Sequence, residues 1–161
     1  VVPQSYDLEK LKKFMAYSPQ ESTLFETTFE ENIFQNNYKT YKQKLIIDKL
    51  LKEWLIKMNL EYLFKRFRDK KERINLSVEK LSKGEIQRIC LIRTFINDKP
   101  IEIYDEPTAY LDMKSSQLVT NEILERSKNK LILIASHDEV LNEIASEVLD
   151  LNFLKKEYKL L

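Results

Sequence analysis

The stretch IEIYDEPTAYLD, residues 101–112, decides how the rest of this sequence is interpreted. It begins with four residues of strand composition and runs directly into the acidic pair Asp105-Glu106. In open α/β sheets, ligands bind beyond the carboxyl ends of the strands. One carboxylate there can hold Mg²⁺, usually through water, and the next can orient or deprotonate an attacking water. A bare acidic pair after a strand is equally typical of a simple turn, so the flanking segments must decide between the two.

Strand and helix patterns alternate through the second half of the chain. Strands are predicted at 14–18, 101–104, 131–135 and 147–151, and helices at 45–64, 113–127 and 139–146, with further helices beginning within 28–32 and at Ser82. This alternation predicts an α/β fold with a parallel sheet. Residues 31–98 are almost purely helical in pattern, which predicts an α-helical subdomain inserted into that core.

Composition excludes several classes of protein. The 161 residues suffice for about one domain, and 27 basic against 26 acidic residues argue against a nucleic-acid binder that relies on a strong positive field. The basic run at 65–73 is interpreted as a solvated face. Cys90 stands alone, which excludes an internal disulfide. Average usage predicts about eleven glycines. Gly84 is the only one, which excludes a glycine-rich phosphate loop within these residues.

Three further segments carry polar residues suited to phosphate chemistry. Ser82 and Glu85 have capping-box spacing at a helix start, where free N–H groups attract anions, and Gly84 allows close backbone approach. His137, the only histidine, follows an apolar strand and can hydrogen-bond a phosphate oxygen or a water. Gln20 follows the first strand, and its amide can reach both metal ligands and water. Each feature taken alone also fits a plainer structural explanation.

In their order along the chain, these segments resemble the motifs of ATP-binding cassette (ABC) ATPases. Residues 81–88 (LSKGEIQR) resemble the signature motif, 101–112 the Walker B strand and D-loop, 134–138 (IASHD) the switch-histidine loop, and 17–20 (YSPQ) with 24–33 the Q-loop region. The resemblance covers essentially the whole chain, and DEPTxxLD is highly specific. It implies an incomplete P-loop NTPase (RecA-like) parallel-sheet core. Residues 1–161 are then one partial domain, with 1–30 and 99–161 as core and 31–98 as the helical subdomain.

The resemblance also implies ATP and Mg²⁺ as cofactors and a role for each residue around the chain's own nucleotide. Glu106 would be the catalytic base, and His137 would contact the γ-phosphate. Asp105 would support Mg²⁺. Gln20 would sense Mg²⁺ and water, and would couple the site to a membrane domain.

A second set of residues would face the ATP of a partner domain, because domains of this family pair head to tail. Ser82 and Gly84 would contact the partner's γ-phosphate, and Asp112 would communicate across the dimer. Lys83 stands where the family usually has glycine, and Glu85 where it often has glutamine. The charge of Lys83 could attract phosphate, and its bulk could obstruct it.

The resemblance is closest to the nucleotide-binding domain of a transporter, on the cytoplasmic face of a membrane and joined to a transmembrane domain. Residues 24–33 favour an exporter. Without a Walker A loop, we expect this chain alone not to hydrolyse ATP, and we interpret it as a fragment, a truncated product or a split protein. The missing phosphate-loop strand would leave strand edges unpaired, so we expect the isolated chain to swap, aggregate or borrow a strand.

Two alternatives remain open from the residues. The first is a soluble ABC ATPase of repair or translation. Gln20 and Ser82 are 62 positions apart, which leaves no room for the long coiled coil of the repair class. The second is a non-catalytic module that donates its signature face to a complete cassette. The missing phosphate loop and Lys83 favour this module, whereas the intact Asp105-Glu106 pair and His137 disfavour it.

Overall fold

The computed structural model describes residues 8–35, 44–68 and 81–150. Their elements follow in chain order: α1 (Leu8–Lys12), β1 (Met15–Ser18), α2 (Phe29–Phe34), α3 (Lys44–Lys57), α4 (Glu61–Arg68), α5 (Lys83–Asn97), β2 (Ile101–Asp105), α6 (Met113–Ser127), β3 (Leu131–Ala135) and α7 (Glu139–Ile144). The predicted α/β class is confirmed. α6 and β3 have the predicted bounds, while the five-residue α1 had no counterpart in the prediction.

The three strands form one parallel sheet in the order β1-β2-β3. Ser18 lies opposite Tyr104, and Asp105 lies opposite Ala135. Because the strands are parallel and nearly in register, all three end at the same edge of the sheet. The segments that follow them therefore emerge side by side.

One continuous hydrophobic core joins the helices to one face of the sheet. α5 is central to it and buries side chains around most of its circumference, as its sequence predicts. Cys90 is among them, a small buried residue as expected. From β2, Tyr104 is fully buried and its ring lies 6.1 Å from that of Phe95 on α5.

The opposite face of the sheet is open within the described ranges. Tyr17, Leu131 and Leu133 are 57%, 58% and 50% exposed, although their neighbours along each strand are largely covered. Exposed apolar patches of this kind mark surfaces that contact further protein. The expectation that the isolated chain self-associates or borrows a strand stays a prediction, and this face gives it a structural basis.

The predicted single helix over 45–64 is wrong, because the chain breaks between α3 and α4. Asn59 adopts a left-handed conformation with φ of 54°. The Leu60 amide donates to the Leu55 carbonyl at 2.7 Å, and the Asn59 amide donates to Ile56 at 3.0 Å. These two bonds form a Schellman C-cap, and asparagine is a residue that tolerates its left-handed position. The local cap therefore outweighs a helical pattern that continues beyond it.

Two further boundaries differ from prediction. The helix predicted at 139–146 ends at Ile144, with Ala145 as an extended C-cap. No strand forms over 147–150, while residue 151 lies outside the described ranges. Val148 and Leu149 are exposed. A strand gains its backbone hydrogen bonds from a neighbouring strand, and the described sheet consists of β1, β2 and β3.

A buried ionic cluster ties the central strand to α6. Glu102 on β2 is 0% exposed, and its carboxylate accepts from Arg126 Nε at 2.8 Å and Nη2 at 2.6 Å. It also accepts from the Tyr104 hydroxyl at 2.5 Å, and Lys130 Nζ lies 3.1 Å away. Burial acts to raise the pKa of Glu102, but the hydrogen bonds from Arg126 and Tyr104 outweigh it and hold the pKa below its usual value.

The described helices include none with both the length and the apolar character needed to cross a lipid bilayer.

Arg126→Met should destabilise the fold strongly, because it leaves the buried Glu102 carboxylate without its bidentate partner. We expect the free energy of unfolding to fall by about 3 kcal/mol or more. Urea denaturation followed by fluorescence of Trp54, the single tryptophan, measures it. Lys128→Met, which removes an exposed ion pair with Glu125, is the control and should cost less than about 1 kcal/mol. Equal losses in the two variants would contradict a structural role for the cluster.

Candidate functional site

The carboxyl edge of the sheet brings together the segments that the sequence singled out. Asp105 is the last residue of β2, and Glu106 follows it. The segment 136–138 leaves β3 at the same level, and Gln20 follows β1 two residues after Ser18. This edge is where ligands bind in open parallel sheets.

Glu106 is held in a strained backbone conformation at this edge. Its φ of 47° lies in the left-handed region, which costs roughly 1–3 kcal/mol for a residue other than glycine. Its amide donates to the Ala135 carbonyl at 2.8 Å and extends the β2–β3 ladder by one bond. Its side chain accepts from the Ser136 hydroxyl at 3.2 Å. Strain of this kind persists only where the surroundings impose it, and it is concentrated at functional sites.

His137 lies next to the Glu106 carboxylate. The distance between His137 Nε2 and Glu106 Oε1 is 3.8 Å, and the imidazole is fully open to solvent. The following residue, Asp138, caps α7 and accepts from the Thr108 hydroxyl at 2.8 Å. The loop after β3 is thereby attached to the loop after β2, which keeps the imidazole beside the carboxylate.

Asp105 and Gln20 lie on the same edge but are not joined. The Tyr17 hydroxyl donates to Asp105 Oδ2 at 3.4 Å. The Gln20 carbonyl accepts from the Ser22 amide at 3.1 Å, and its side chain makes no hydrogen bond to the described residues. Of the four predicted residues, the structure therefore brings Glu106 and His137 together. Asp105 directly precedes Glu106, and no hydrogen bond or ion pair among the described residues joins the Gln20 side chain to them.

The described residues fit Mg²⁺ only as a metal shared with a phosphate ligand. They contain no group of three histidine, cysteine or acidic side chains able to hold a metal. Mg²⁺ at phosphate sites needs only one or two carboxylates, because waters and phosphate oxygens complete its octahedron. Asp105 can serve as such a carboxylate.

The start of α5 forms the second predicted surface. Ser82 is the N-cap, its hydroxyl accepts from the Glu85 amide at 3.2 Å, and the Glu85 carboxylate accepts from the Ser82 amide at 2.5 Å. The other Glu85 oxygen accepts from the Tyr62 hydroxyl. Burial acts to raise the pKa of Glu85, but these bonds hold it below its usual value. The same contact and burial raise the pKa of Tyr62 to about 12. Both oxygens of Glu85 thus have structural partners.

Gly84 is required by the protein's own packing. An added Cβ would lie 2.7 Å from the Tyr110 carbonyl oxygen, closer than real Cβ contacts. Its φ is not positive, so backbone conformation does not demand glycine here. The sequence had suggested that Gly84 admits a phosphate, and the structure supplies a different reason for the missing side chain.

A cavity of about 270 Å³ opens between the starts of α5 and α6. Its lining includes Ser82, Lys83, Gly84, Arg88, Tyr110 and Asp112. Lys83 Nζ lies 5.0 Å from the Tyr110 ring centroid, a cation–π contact that keeps the lysine at the wall. Asp112 caps α6, and the hydrogen bonds from Ser115 lower its pKa. Two helix N-termini and a lysine favour an anionic ligand in this cavity.

The structure gives roles to two polar residues of α5 that sequence reasoning left without one. Arg93 donates to the Asn32 carbonyl at 2.7 Å and to the Thr23 carbonyl at 3.2 Å, and it lies over the Phe25 ring. It therefore fastens the segment between β1 and α2 onto α5. Gln87 is buried and bonds the loop after β2. The sequence shows only that α5 carries several polar residues among its apolar ones.

Comparisons with known proteins agree with this arrangement. A family model described as ABC transporter matches residues 2–109. A probable ABC transporter ATP-binding/permease protein of Haemophilus influenzae is 26% identical over 139 residues, covering 86% of this chain and 24% of that protein. The chain therefore spans about a quarter of that relative's length.

Two solved structures have the same fold. The ATP-binding cassette MJ0796, a dimer in a post-hydrolysis state bound to ADP and Pi, gives a TM-score of 0.68 at 23% identity, covering 88% of this chain and 61% of that chain. A bacterial Atm1-family ABC exporter with ATP bound gives 0.62 at 20% identity, covering 83% and 23%. The predicted parallel-sheet P-loop NTPase fold is confirmed.

Gly84→Ala should destabilise the protein, although helix propensity alone predicts the opposite. Alanine is favoured over glycine inside a helix by roughly 0.5–1 kcal/mol, whereas overpacking against the Tyr110 carbonyl costs about 1–3 kcal/mol. We expect a net loss in the free energy of unfolding, measured by urea denaturation. Asn121→Ala, at an exposed position of α6, is the control for propensity. A Gly84→Ala protein as stable as wild type would contradict the close approach.

Proposed function

Because the chain belongs to the ABC transporter family, we propose that it forms part of a nucleotide-binding domain whose ATP binding and hydrolysis drive transport across a membrane. Export is the proposed direction, on the likeness of residues 24–33 to exporters. Residues 1–30 and 99–161 would form the nucleotide-binding core and 31–98 the helical subdomain. The domain would work at the cytoplasmic face, against a transmembrane domain and a second cassette.

The observation that carries the proposal is the contact between Glu106 and His137 at the strand ends. Glu106 is oriented by Ser136 and by its strained backbone, and a solvent-facing imidazole stands 3.8 Å from its carboxylate. A carboxylate held in this way can accept a proton from a water, and the imidazole can hydrogen-bond the group that this water approaches.

The remaining residues of this edge would orient the nucleotide, which supplies the phosphoanhydride bond that is cleaved. Asp105 would support Mg²⁺ through water, because it ends β2 directly before Glu106. Gln20 has no hydrogen bond to the cluster and would reach it through movement of the segment that Arg93 fastens to α5. That segment is the proposed link to the membrane domain.

The cavity at the starts of α5 and α6 would receive the phosphate end of the partner's ATP. Ser82, Gly84 and the free amides of α5 would line it, and Asp112 would lie across the dimer contact. Lys83 rests against Tyr110 and leaves the cavity open. We therefore propose that its charge, rather than its bulk, acts on the ligand.

Glu106→Gln should abolish hydrolysis in the full-length protein, because an amide cannot accept the proton. We expect the magnesium-dependent rate to fall by about two orders of magnitude or more, while nucleotide binding persists. Phosphate release measures the rate. Glu125→Gln on the exposed side of α6 is the control and should have the wild-type rate. We expect no hydrolysis by the 161-residue chain alone. Full activity in the Glu106→Gln protein would overturn the assignment.

A second candidate function is a non-catalytic module that lends its signature face to a complete cassette. One observation favours it: Lys83 stands where the family's signature usually has glycine. Mixing this chain with a complete cassette tests it, since the module requires association that depends on ATP. Light scattering should show complexes that form only with ATP. Lys83→Met should weaken this association by roughly fivefold, which corresponds to about 1 kcal/mol. If Lys83→Met binds as tightly as wild type, the lysine has no role at this surface.

A further inference from the structure

Gln87 is a buried polar side chain whose amide nitrogen and oxygen each have a hydrogen-bond partner. It lies in the second turn of α5 and is 1% exposed. Its Nε2 donates to the Glu106 carbonyl at 2.8 Å, and its Oε1 accepts from the Tyr110 amide at 3.3 Å. The two bonds therefore hold both ends of the loop 106–110.

The bond to Glu106 acts on a residue that is under strain. The left-handed backbone of Glu106 needs restraint on both of its peptide groups, and Ala135 of β3 holds the amide. The carbonyl is held by Gln87 at 2.8 Å, with a longer bond of 3.3 Å from the Ala109 amide inside the loop. Gln87 is thus the contact through which α5 restrains the backbone that aims the Glu106 carboxylate.

The bond to Tyr110 belongs to a wider contact between this loop and the start of α5. The Tyr110 carbonyl oxygen packs against Gly84, and its ring lies under the Lys83 ammonium. Lys83, Gly84 and Gln87 therefore meet Tyr110 from two successive turns of one helix. A displacement of the start of α5 must move this loop, and with it the Glu106 backbone.

We infer that Gln87 is a positioning residue that couples the phosphate-facing start of α5 to the Glu106 carboxylate. The inference rests on the proposed function, in which α5 faces the partner's nucleotide and Glu106 serves the chain's own. One side-chain amide then links the two nucleotide sites within a single domain. When the start of α5 binds the partner's nucleotide, its displacement is transmitted to Glu106 through the Gln87 side-chain amide.

Two substitutions separate the two bonds. Gln87→Met removes both. Gln87→Glu, as the carboxylate, keeps an acceptor for the Tyr110 amide but has no hydrogen to donate to the Glu106 carbonyl. Gln117→Glu, on an exposed position of α6, is the matched control. Hydrogen exchange without nucleotide should show the Tyr110 amide exchanging about tenfold faster in Gln87→Met, and unchanged in Gln87→Glu and in the control.

Kinetics of the full-length protein supply the second measurement. Both Gln87 variants should lose about tenfold or more in kcat, with KM for ATP within about twofold of wild type, because the catalytic group is misplaced while nucleotide contacts remain. Melting temperatures provide the folded fraction to which the rates are normalised. If Gln87→Met does not fold, Gln87→Glu decides the question, since it retains the volume and the Tyr110 bond.

A normalised kcat of wild-type size in Gln87→Glu would overturn the inference, and so would an equal loss in Gln117→Glu. A rise in KM without a fall in kcat would also overturn it, because that result describes a binding residue. Absence of hydrolysis in the wild-type full-length protein would instead count against the proposed function. In that case the exchange rates still decide whether Gln87 restrains the loop.

Discussion

The parallel pairing of β2 with β1 on one side and β3 on the other is the constraint on which the rest of this structure depends. It sets Asp105 opposite Ala135, so the chain leaves three strands at one level. Glu106 continues the ladder by one bond beyond β2 before its backbone turns into the left-handed region. Displacing either neighbour by one residue would reverse which side chains face the helices. The meeting of Glu106 with Ser136 and His137 is therefore a consequence of strand register.

The central strand buries polar side chains, which is unusual for a strand in the middle of a sheet. Its covered face presents Glu102 and Tyr104 to the helices, and both are fully buried. Arg126 and Lys130 neutralise the carboxylate, and the Arg126 guanidinium also donates to the Phe95 carbonyl at 2.9 Å. A carboxylate in this setting is tolerated only while it is paired. The cluster joins β2, the end of α5 and the end of α6. It lies toward the opposite end of β2 from the candidate site.

Many elements could be predicted because their signals are local. The bounds of α6 and β3 follow from periodicity and from the turn residues between them, and the capping box at Ser82 is formed as its spacing indicates. The break at Asn59 had a local signal too, but a helical pattern continued on both sides of it. The strand predicted at 147–151 does not form over the described residues 147–150, for a different reason. Strand formation depends on a neighbour, and an apolar run cannot show whether one is present.

By itself, the sequence determined the α/β class, the family and the order of the chemistry-bearing residues, because these reside in composition, periodicity and short motifs. Only the tertiary structure decided which of those residues meet. It placed His137 beside Glu106 without a bond from Gln20 to either, gave Gly84 a packing partner in Tyr110, and revealed Gln87 bonded to both ends of the loop 106–110. These contacts join residues that lie at least 19 positions apart along the chain. Such contacts are set by strand register and helix packing, which no local pattern encodes.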